Sequence, residues 1–434
     1  MITIQRSQKI SVKESYDVVV AGAGPAGICA AVAAARMGSS VALVERYGVI
    51  GGNLTVGHVG PILGMVGRGT MRDELMERIG VWQNDMLGVT GVAHDTELAK
   101  RVLAEFVEHE RITVYLQCMV CDAVMEENRI TGLILSSKEG LFAVTGKVVI
   151  DATGDGDVAC ACGAEYEKGR ADGLMQPVTL EFTLSGVDES KAIVCIGDVD
   201  DVELDGQRFL DYCAQCAEKG LLPKALAAVR LHRTTRPGER QVNTTQMNRV
   251  DSTDPSILYR AEVELRRQID TLIQFFRKEL PGYENCYCTA SGCTLGVRES
   301  RRIMGDYKIT AEELVAGTRF EDAVVHKAEF IVDIHNPDGA GQAEKTIQYT
   351  KPYDLPYRCF LPRKVEGLLT AGRCISGTHR AHASYRVMSI CMAMGQAAGT
   401  AAALSAVQGC TPRNLPVTAL QKALEAQGVD LFSP

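Results

Sequence analysis

Two short runs in the second half of the chain carry side chains able to orient an anionic substrate and move a proton. Arg298-Glu299-Ser300-Arg301-Arg302 is the densest charge cluster of the middle region. Helical spacing would put Arg298 and Arg302 on one face, where their guanidinium forks could clamp a carboxylate or another oxyanion. Gly296, just before, leaves room for a ligand. The competing reading is a salt-bridge network in which Glu299 pairs an arginine internally. His335 stands in Val332-Asp333-Ile334-His335-Asn336-Pro337, where a strand meets a turn. An imidazole there could hand a proton to substrate near neutral pH, or it could be a satisfied core histidine.

Groups of this kind act only on a molecule held by a scaffold, and the scaffold is legible in Asp17 to Arg46. A short apolar run ends in Gly22-Ala23-Gly24-Pro25-Ala26-Gly27. An alanine-rich helical segment runs to Met37, Gly38 stops it, and a second β-rich run from Val41 to Val44 closes on Glu45. Gly22 permits the tight turn, Gly24 lets backbone approach a pyrophosphate, and Gly27 lets helix and strand pack closely. The positive end of the helix faces the phosphates. Glu45, eighteen residues beyond Gly27, can accept hydrogen bonds from ribose hydroxyls. The βαβ context and the acid turn a weak glycine motif into a dinucleotide site.

The chain has 434 residues, 46% hydrophobic and 23% charged, with a formal net charge of −8. This is the composition of an ordinary soluble protein, long enough for two or three domains. The negative balance argues against a general affinity for nucleic acid or anionic membrane. The segment Met1 to Asp17 has no apolar core and does not read as a signal peptide. Val387 to Val407 is apolar but broken by Ser389, Gln396, Thr400 and Ser405, which suits packing inside a protein. A cytoplasmic location is expected. Fifteen cysteines, odd in number and mostly in apolar runs, read as reduced thiols. Cys118–Cys121 and Cys213–Cys216 match CxxC, but neither lies just past the glycine motif, where a redox pair would be expected, and no metal site is expected. His58, in the glycine-rich run after Arg46, is a weak candidate for covalent cofactor attachment.

Thr96 to Glu110 has a helical pattern, Ile112 to Leu116 reads as a strand, and Ile130 to Leu135 and Phe142 to Thr145 read as antiparallel strands. Lys147 to Asp151 is a further strand running into Ala152-Thr153-Gly154-Asp155, where small residues let a cofactor pass over the strand end. From about Glu165 the βαβ pattern is lost: Val178 to Leu184 reads as strand, Asp201 to Glu218 as partly helical, and Tyr259 to Leu280 as a long amphipathic helix. Gly367 to Ala371 then makes a last buried strand and Val387 to Leu404 a buried helix. The expected organisation is a first segment 1–164, an inserted mixed α+β substrate domain 165–361, and a returning segment 362–434.

The blocks VAGAGPAGICAA with LVERYGVIGGNLT, DATGDGDVA, GVRESRRIMGDYKIT, IVDIHNPDG, and LPYRCFLP followed by LLTAGRCISGTHRAHASYRVMSICMAMGQAAGTAAAL occur in one order across nearly the whole chain. In these the chain resembles the FAD-dependent oxidoreductases of the glutathione-reductase structural type. The implied fold class is α/β, a Rossmann-like FAD-binding domain with the inserted α+β domain. By this resemblance Gly22, Gly24, Pro25, Ala26, Gly27, Glu45 and Arg46 would hold the ADP half of a non-covalent FAD. Gly51, Gly52, Asn53 and Leu54 would run beside the pyrophosphate and ribityl chain. Thr153, Gly154 and Asp155 would sit near the adenosine end, and Gly372, Arg373 and Cys374 near the pyrophosphate. The helix opening at Val387 and Met388 would aim its N–H groups at the flavin. Relatives commonly carry proline where this chain has Ser389, and serine is expected to serve the helix start.

The loop before that helix then becomes a candidate by location: His379 and Arg386 ahead of His382, with Tyr385 packing. The expected activity is hydride transfer between a small polar, anionic organic substrate and flavin N5, with Arg298 and Arg386 orienting substrate and His335 or His379 moving the proton. The alternatives are a flavin monooxygenase or oxidase, and an electron-transfer flavoprotein subunit serving a protein partner. No second GxGxxG unit is present for a dedicated nicotinamide domain. The electron donor or acceptor is open, and a homo-oligomer is compatible with the sequence.

Overall fold

The computed structural model describes residues 7–81, 92–197, 202–343 and 347–433. Residues 1–6 of the amino-terminal segment, and Asp201 at the head of the segment expected to be partly helical, lie outside these.

Runs such as DVVVA and VALVE are apolar on both faces, as a parallel sheet covered on both sides requires. They build four parallel neighbours in the order Thr113–Leu116, Val41–Glu45, Val12–Ala21 and Gly140–Asp151. The far edge of Gly140–Asp151 is shared. Antiparallel Arg129–Ser137, with Met119–Glu126 outside it, pairs the first half, and parallel Leu368–Thr370 pairs the last three residues. The last parallel strand is thus supplied from more than 200 residues downstream of the others' end, across an intervening antiparallel unit. Where two strands are expected at Phe142 to Thr145 and Lys147 to Asp151, the structure has one twelve-residue strand. Gly146 does not break it; a Cβ there would lie 2.8 Å from Val19 Cγ2, so the glycine admits the neighbouring strand's side chain.

One face of the sheet is covered by the helix Pro25–Arg36, and against that helix lies Met388–Gln408. Both are dominated by small residues, and their backbones nearly touch. A Cβ at Gly395 would lie 2.0 Å from the Ala26 carbonyl oxygen, and one at Gly399 2.0 Å from that of Ala30. Met388–Gln408 is apolar around its whole circumference and long enough to cross a membrane. Its most apolar window is 89% buried inside the protein, which makes it the central core helix.

A second core lies in an antiparallel sheet ordered Leu231–Arg233, Arg240–Val242, Phe182–Ser185 and Tyr287–Ser291, with the helix Pro255–Glu279. Ala261, Leu265, Ile269, Leu272 and Phe276 recur at helical spacing and are buried. This helix begins four residues before the expected Tyr259 because Asp254 caps it, accepting from the Ser256 and Ile257 amides, and Pro255 fixes its first turn.

The segment around Arg298 is not helical. Gly296 bridges Thr179, and Arg301–Ile303 is a short strand paired with Tyr166–Lys168. The expectation that Arg298 and Arg302 share one helical face is therefore corrected.

Candidate active site

The sheet's strands end at the rim of a cleft of about 520 Å³. Gly22 turns the first strand with φ +90, and a Cβ on it would lie 2.5 Å from the Ala152 carbonyl oxygen. Gly27 is tighter still: its Cβ would stand 1.8 Å from the Gly22 oxygen. A Cβ on Gly24 would meet nothing within 4 Å, because this glycine faces the open cleft. The helix that follows has Gly24 as its N-cap with no side-chain cap, so its first-turn amides are available to an anion. Gly51, with φ +118, donates to the Ala23 carbonyl at 2.7 Å and ties the glycine-rich loop to this turn.

Charged groups gather along one wall. Glu45 is buried, and its two oxygens accept the Ala23 and Tyr47 amides, each at 2.9 Å; burial raises its pKa. Both oxygens keep further lone pairs. Asp155 binds Arg373 Nη2 at 2.9 Å and the Ser300 hydroxyl at 2.7 Å, with Arg46 at 3.8 Å. Although burial opposes its charge, Arg373 and these neighbours hold it below the usual carboxylate range. Arg373 Nη1 is buried without a partner. Beneath them Asp151 organises the Ala-Thr-Gly turn, accepting from the Thr153 amide and hydroxyl and the Ala159 amide. Burial raises its pKa to about 6.

At the inner end the cleft is bounded by Asn53, Val56, Leu295, Val297, Met388 and Arg386. Arg386 Nη2 donates to the Asp333 carbonyl at 3.0 Å and to its Oδ2 at 3.1 Å. Asp333 also receives Gln342 Nε2, and His335 Nε2 lies 3.3 Å from its Oδ2. These partners, His335 and Arg386 first, hold Asp333 well below the usual range despite burial. Asp333 and His335 line a second, smaller chamber of about 80 Å³. Arg386 touches the cleft on one side and, through Asp333, the chamber on the other.

Gly22, Gly24, Pro25, Ala26, Glu45, Arg46, Gly52, Asn53, Thr153, Gly154, Asp155, Gly372, Arg373 and Met388 line the cleft. Gly27, Gly51, Leu54, Cys374 and Val387 stand behind that lining. Ser389 does not cap the core helix: Val387 is the N-cap, the Ser389 amide donates to Leu63 at 3.3 Å, and its hydroxyl is buried without a partner. Cys118 and Cys160 reach the cleft, whereas Cys213 and Cys216 are buried in the second core. His58 is buried, bonds the Thr183 hydroxyl at 2.8 Å, and lies off the cleft lining.

Of the expected catalytic residues, Arg386 alone lines the cleft. His335 reaches the chamber, but burial and then Arg298 push its pKa down to about 3. A charge change near neutral pH is thus corrected: it is a neutral imidazole. His379 Nδ1 lies 2.9 Å from the buried Glu299 and borders neither cavity, since residues 379–385 form a short helix that carries it away. His382 is buried edge-on against Tyr385. Arg298 donates to the Pro177 carbonyl at 2.8 Å and to Asn243 Oδ1 at 3.4 Å, and burial with Arg386 lowers its pKa to about 9. Arg302 pairs with Glu299 and caps the Gly169 and Gly377 carbonyls, the structural alternative for that cluster.

Sequence reasoning missed Glu181, which is fully buried and bonded by Gln241 Nε2 at 3.2 Å. Burial raises its pKa from 4.5 to about 7. The folded state therefore binds this proton more tightly than the unfolded chain. The associated stability is complete below about pH 4.5 and is lost as pH rises through about 7, a change on the order of 3 kcal/mol. Glu181→Gln should remove that loss. Denaturation of both proteins across this window should show the variant gaining on the parent as pH rises; parallel curves would contradict it.

Parallel strands ending at a glycine-lined cleft, an acid closing the second of them and an arginine-bearing wall define a dinucleotide-binding α/β protein. The chain belongs to the FAD dependent oxidoreductase family, whose model matches residues 17–424. It is 28% identical over 151 residues to a thiamine thiazole synthase of Pyrococcus horikoshii, covering 32% of this chain and 58% of that protein. It is 27% identical over 203 residues to digeranylgeranylglycerophospholipid reductase 1 of Methanococcoides burtonii, covering 41% and 46%. The chain spans about half the length of the curated relatives it matches. A geranylgeranyl bacteriochlorophyll reductase-like structure from Thermoplasma acidophilum aligns over 95% of this chain and 83% of its own, with a TM-score of 0.50 and 13% identity. That likeness concerns the fold. FAD is the cofactor of the family, and the residues present fit it: an uncapped helix start for the pyrophosphate, an open face at Gly24, and the unpartnered Arg373 Nη1.

Proposed function

We propose that this enzyme binds FAD non-covalently in the large cleft, in the manner of the glutathione-reductase structural type. It would then transfer hydride between a small, polar, anionic organic substrate and the flavin, with residues 1–164 and 362–434 forming the cofactor domain and 165–361 the substrate domain. The observation that carries the reading is Arg386, the cation shared between the cleft and the Asp333–His335 pair of the chamber. When bound, FAD supplies a two-electron acceptor and donor at N5. The protein's own part is to orient and to manage charge. Arg386 is fixed by its two bonds to Asp333, so its remaining donors are pre-set for an anion. Arg298, buried behind it, adds positive potential. His335 is neutral in the free protein, and an anion bound beside it raises its proton affinity, so its proton would arrive with the substrate. His379 would steady Glu299 and not take part.

Glu45 tests the cofactor end. Glu45→Ala should lower FAD affinity about tenfold, the worth of one charge-assisted hydrogen bond, as well as loosen the Ala23 turn. Flavin released from equal amounts of purified parent and variant would measure it; equal retention through dialysis would remove the ribose role. The expected setting is a cytoplasmic enzyme acting on a free metabolite. Substrate-dependent oxygen consumption by the isolated chain would instead favour the monooxygenase or oxidase reading.

A further inference from the structure

The loop that follows Gly52 passes the inner end of the cleft with Asn53 and Val56, and one buried side chain holds it from behind. His94 is 4% exposed. Its Nε2 lies 2.7 Å from the Leu54 carbonyl oxygen, and its Nδ1 lies 2.7 Å from the Gly60 carbonyl oxygen. A carbonyl oxygen only accepts, so both contacts are hydrogen bonds only when both ring nitrogens carry a proton. The Gly60 oxygen also accepts the His94 amide at 3.1 Å. A neutral ring has one N–H, which Leu54 needs more, and its bare Nδ1 is left against the Gly60 oxygen. Between the two anchor points His58 takes a left-handed φ of +56, a conformation that persists only where the surroundings hold it.

From this we propose that His94 is a proton-operated clasp on the cofactor loop, a positioning residue that tightens FAD binding when doubly protonated. Both carbonyls are in place only while the loop is closed, so proton and cofactor favour the same state and bind cooperatively. Asp95, which follows His94, favours the cation and is itself paired with Arg236 at 2.5 Å. His58 stands on the loop, and Glu181 lies toward the Gly60 amide. Glu97 and Lys100 of the helix Thr96–Glu108 pair with each other at 2.6 Å, and Arg233, whose carbonyl takes the Ala93 amide, is exposed. Burial lowers the pKa of His94, and the two carbonyls and Asp95 oppose it. The change therefore falls on the acid side of the ordinary 6.5.

This inference concerns regulation of the cofactor site and rests on FAD lying in the cleft, yet the ring's protons can be counted without it. FAD release from the loaded protein is followed as free-flavin fluorescence from about pH 5 to about pH 8. Over this range release by the parent should quicken about fivefold more than release by His94→Gln, which cannot take a second proton; that factor is the worth of one hydrogen bond. His94→Asn is the second variant, and the comparison is repeated with Glu181→Gln to remove that group's own titration. In magnetic-resonance spectra of isotope-labelled histidine, the His94 ring is identified by its absence from the variants. It should show two N–H signals at the acid end and one at the other. Equal pH dependence of release in parent and variants, or an N–H count that stays constant, would overturn the clasp. A protein that holds no FAD at any pH would strike the cofactor placement instead, and the N–H count would still decide the clasp.

Discussion

Gly395→Ala should destabilise the fold by about 3 kcal/mol and release FAD in proportion, although the substitution adds one methyl group at a helical position. Alanine is favoured over glycine by helix propensity by about 1 kcal/mol, so an exposed site would gain. Here the new Cβ meets the Ala26 carbonyl oxygen at 2.0 Å, with the Ala26 carbonyl carbon and Cα at 2.8 and 3.0 Å. These are backbone atoms and cannot rotate away. The core helix has to move off Pro25–Arg36, and overpacking of this kind costs about 1–3 kcal/mol even where side chains can adjust. Ala26 is also in the first turn facing the cleft, so the displacement carries directly into the phosphate site. Val407→Ala, on the same helix but 78% exposed, is the control and should change stability by less than about 0.5 kcal/mol. Denaturant unfolding of both, with flavin content, decides the matter; a stabilised Gly395→Ala would show that the two helices are not held at backbone contact.

Arg386→Met should leave FAD bound while lowering turnover by on the order of a thousandfold, and should destabilise the protein by about 3 kcal/mol. Methionine approximates the length of the side chain and removes the fork. Asp333 would then keep His335 and Gln342 but lose the cation donating to both its carbonyl and its carboxylate, and removing one partner of a buried pair costs about 3–5 kcal/mol. Arg386→Lys separates charge from geometry. An ammonium keeps the charge but cannot reproduce the planar contact, so it should restore much of the stability and little of the turnover. Full activity in the lysine variant would mean that only charge is used. Full activity in the methionine variant would remove Arg386 from the site.

The two ends of the site differ in how far they can be read from sequence. The turn at Gly22 to Gly27, the acid Glu45 and the Ala-Thr-Gly strand end depend on contacts within one βαβ unit or one strand end, and local spacing specifies those. The inner end depends on chain segments far apart. Arg298 looks like a member of a helical charge cluster until Gly296 bridges Thr179 and Arg301–Ile303 pairs with Tyr166–Lys168. The partners of its guanidinium, Pro177 and Asn243, lie 121 and 55 residues away. His379 and Arg386 are seven positions apart in one loop, yet the intervening helical turns send one to Glu299 and the other to the cleft. Glu181 gave no sequence signal, because its raised pKa comes from burial under Gln241 and the second sheet. Ser389 suited a cap by type, but the helix begins one residue before it.

The central claim is that the cleft and the chamber act together on a small organic anion. It is tested most directly by mixing the FAD-loaded chain anaerobically with a panel of short carboxylic, hydroxy and amino acids while following the visible flavin band. The reverse direction uses chemically reduced protein and their unsaturated or oxo counterparts. The predicted result is bleaching or recovery of the band by at least one member, abolished in Arg386→Met with FAD still bound. A band unchanged by every member in both directions, or a response that survives in Arg386→Met, would contradict it.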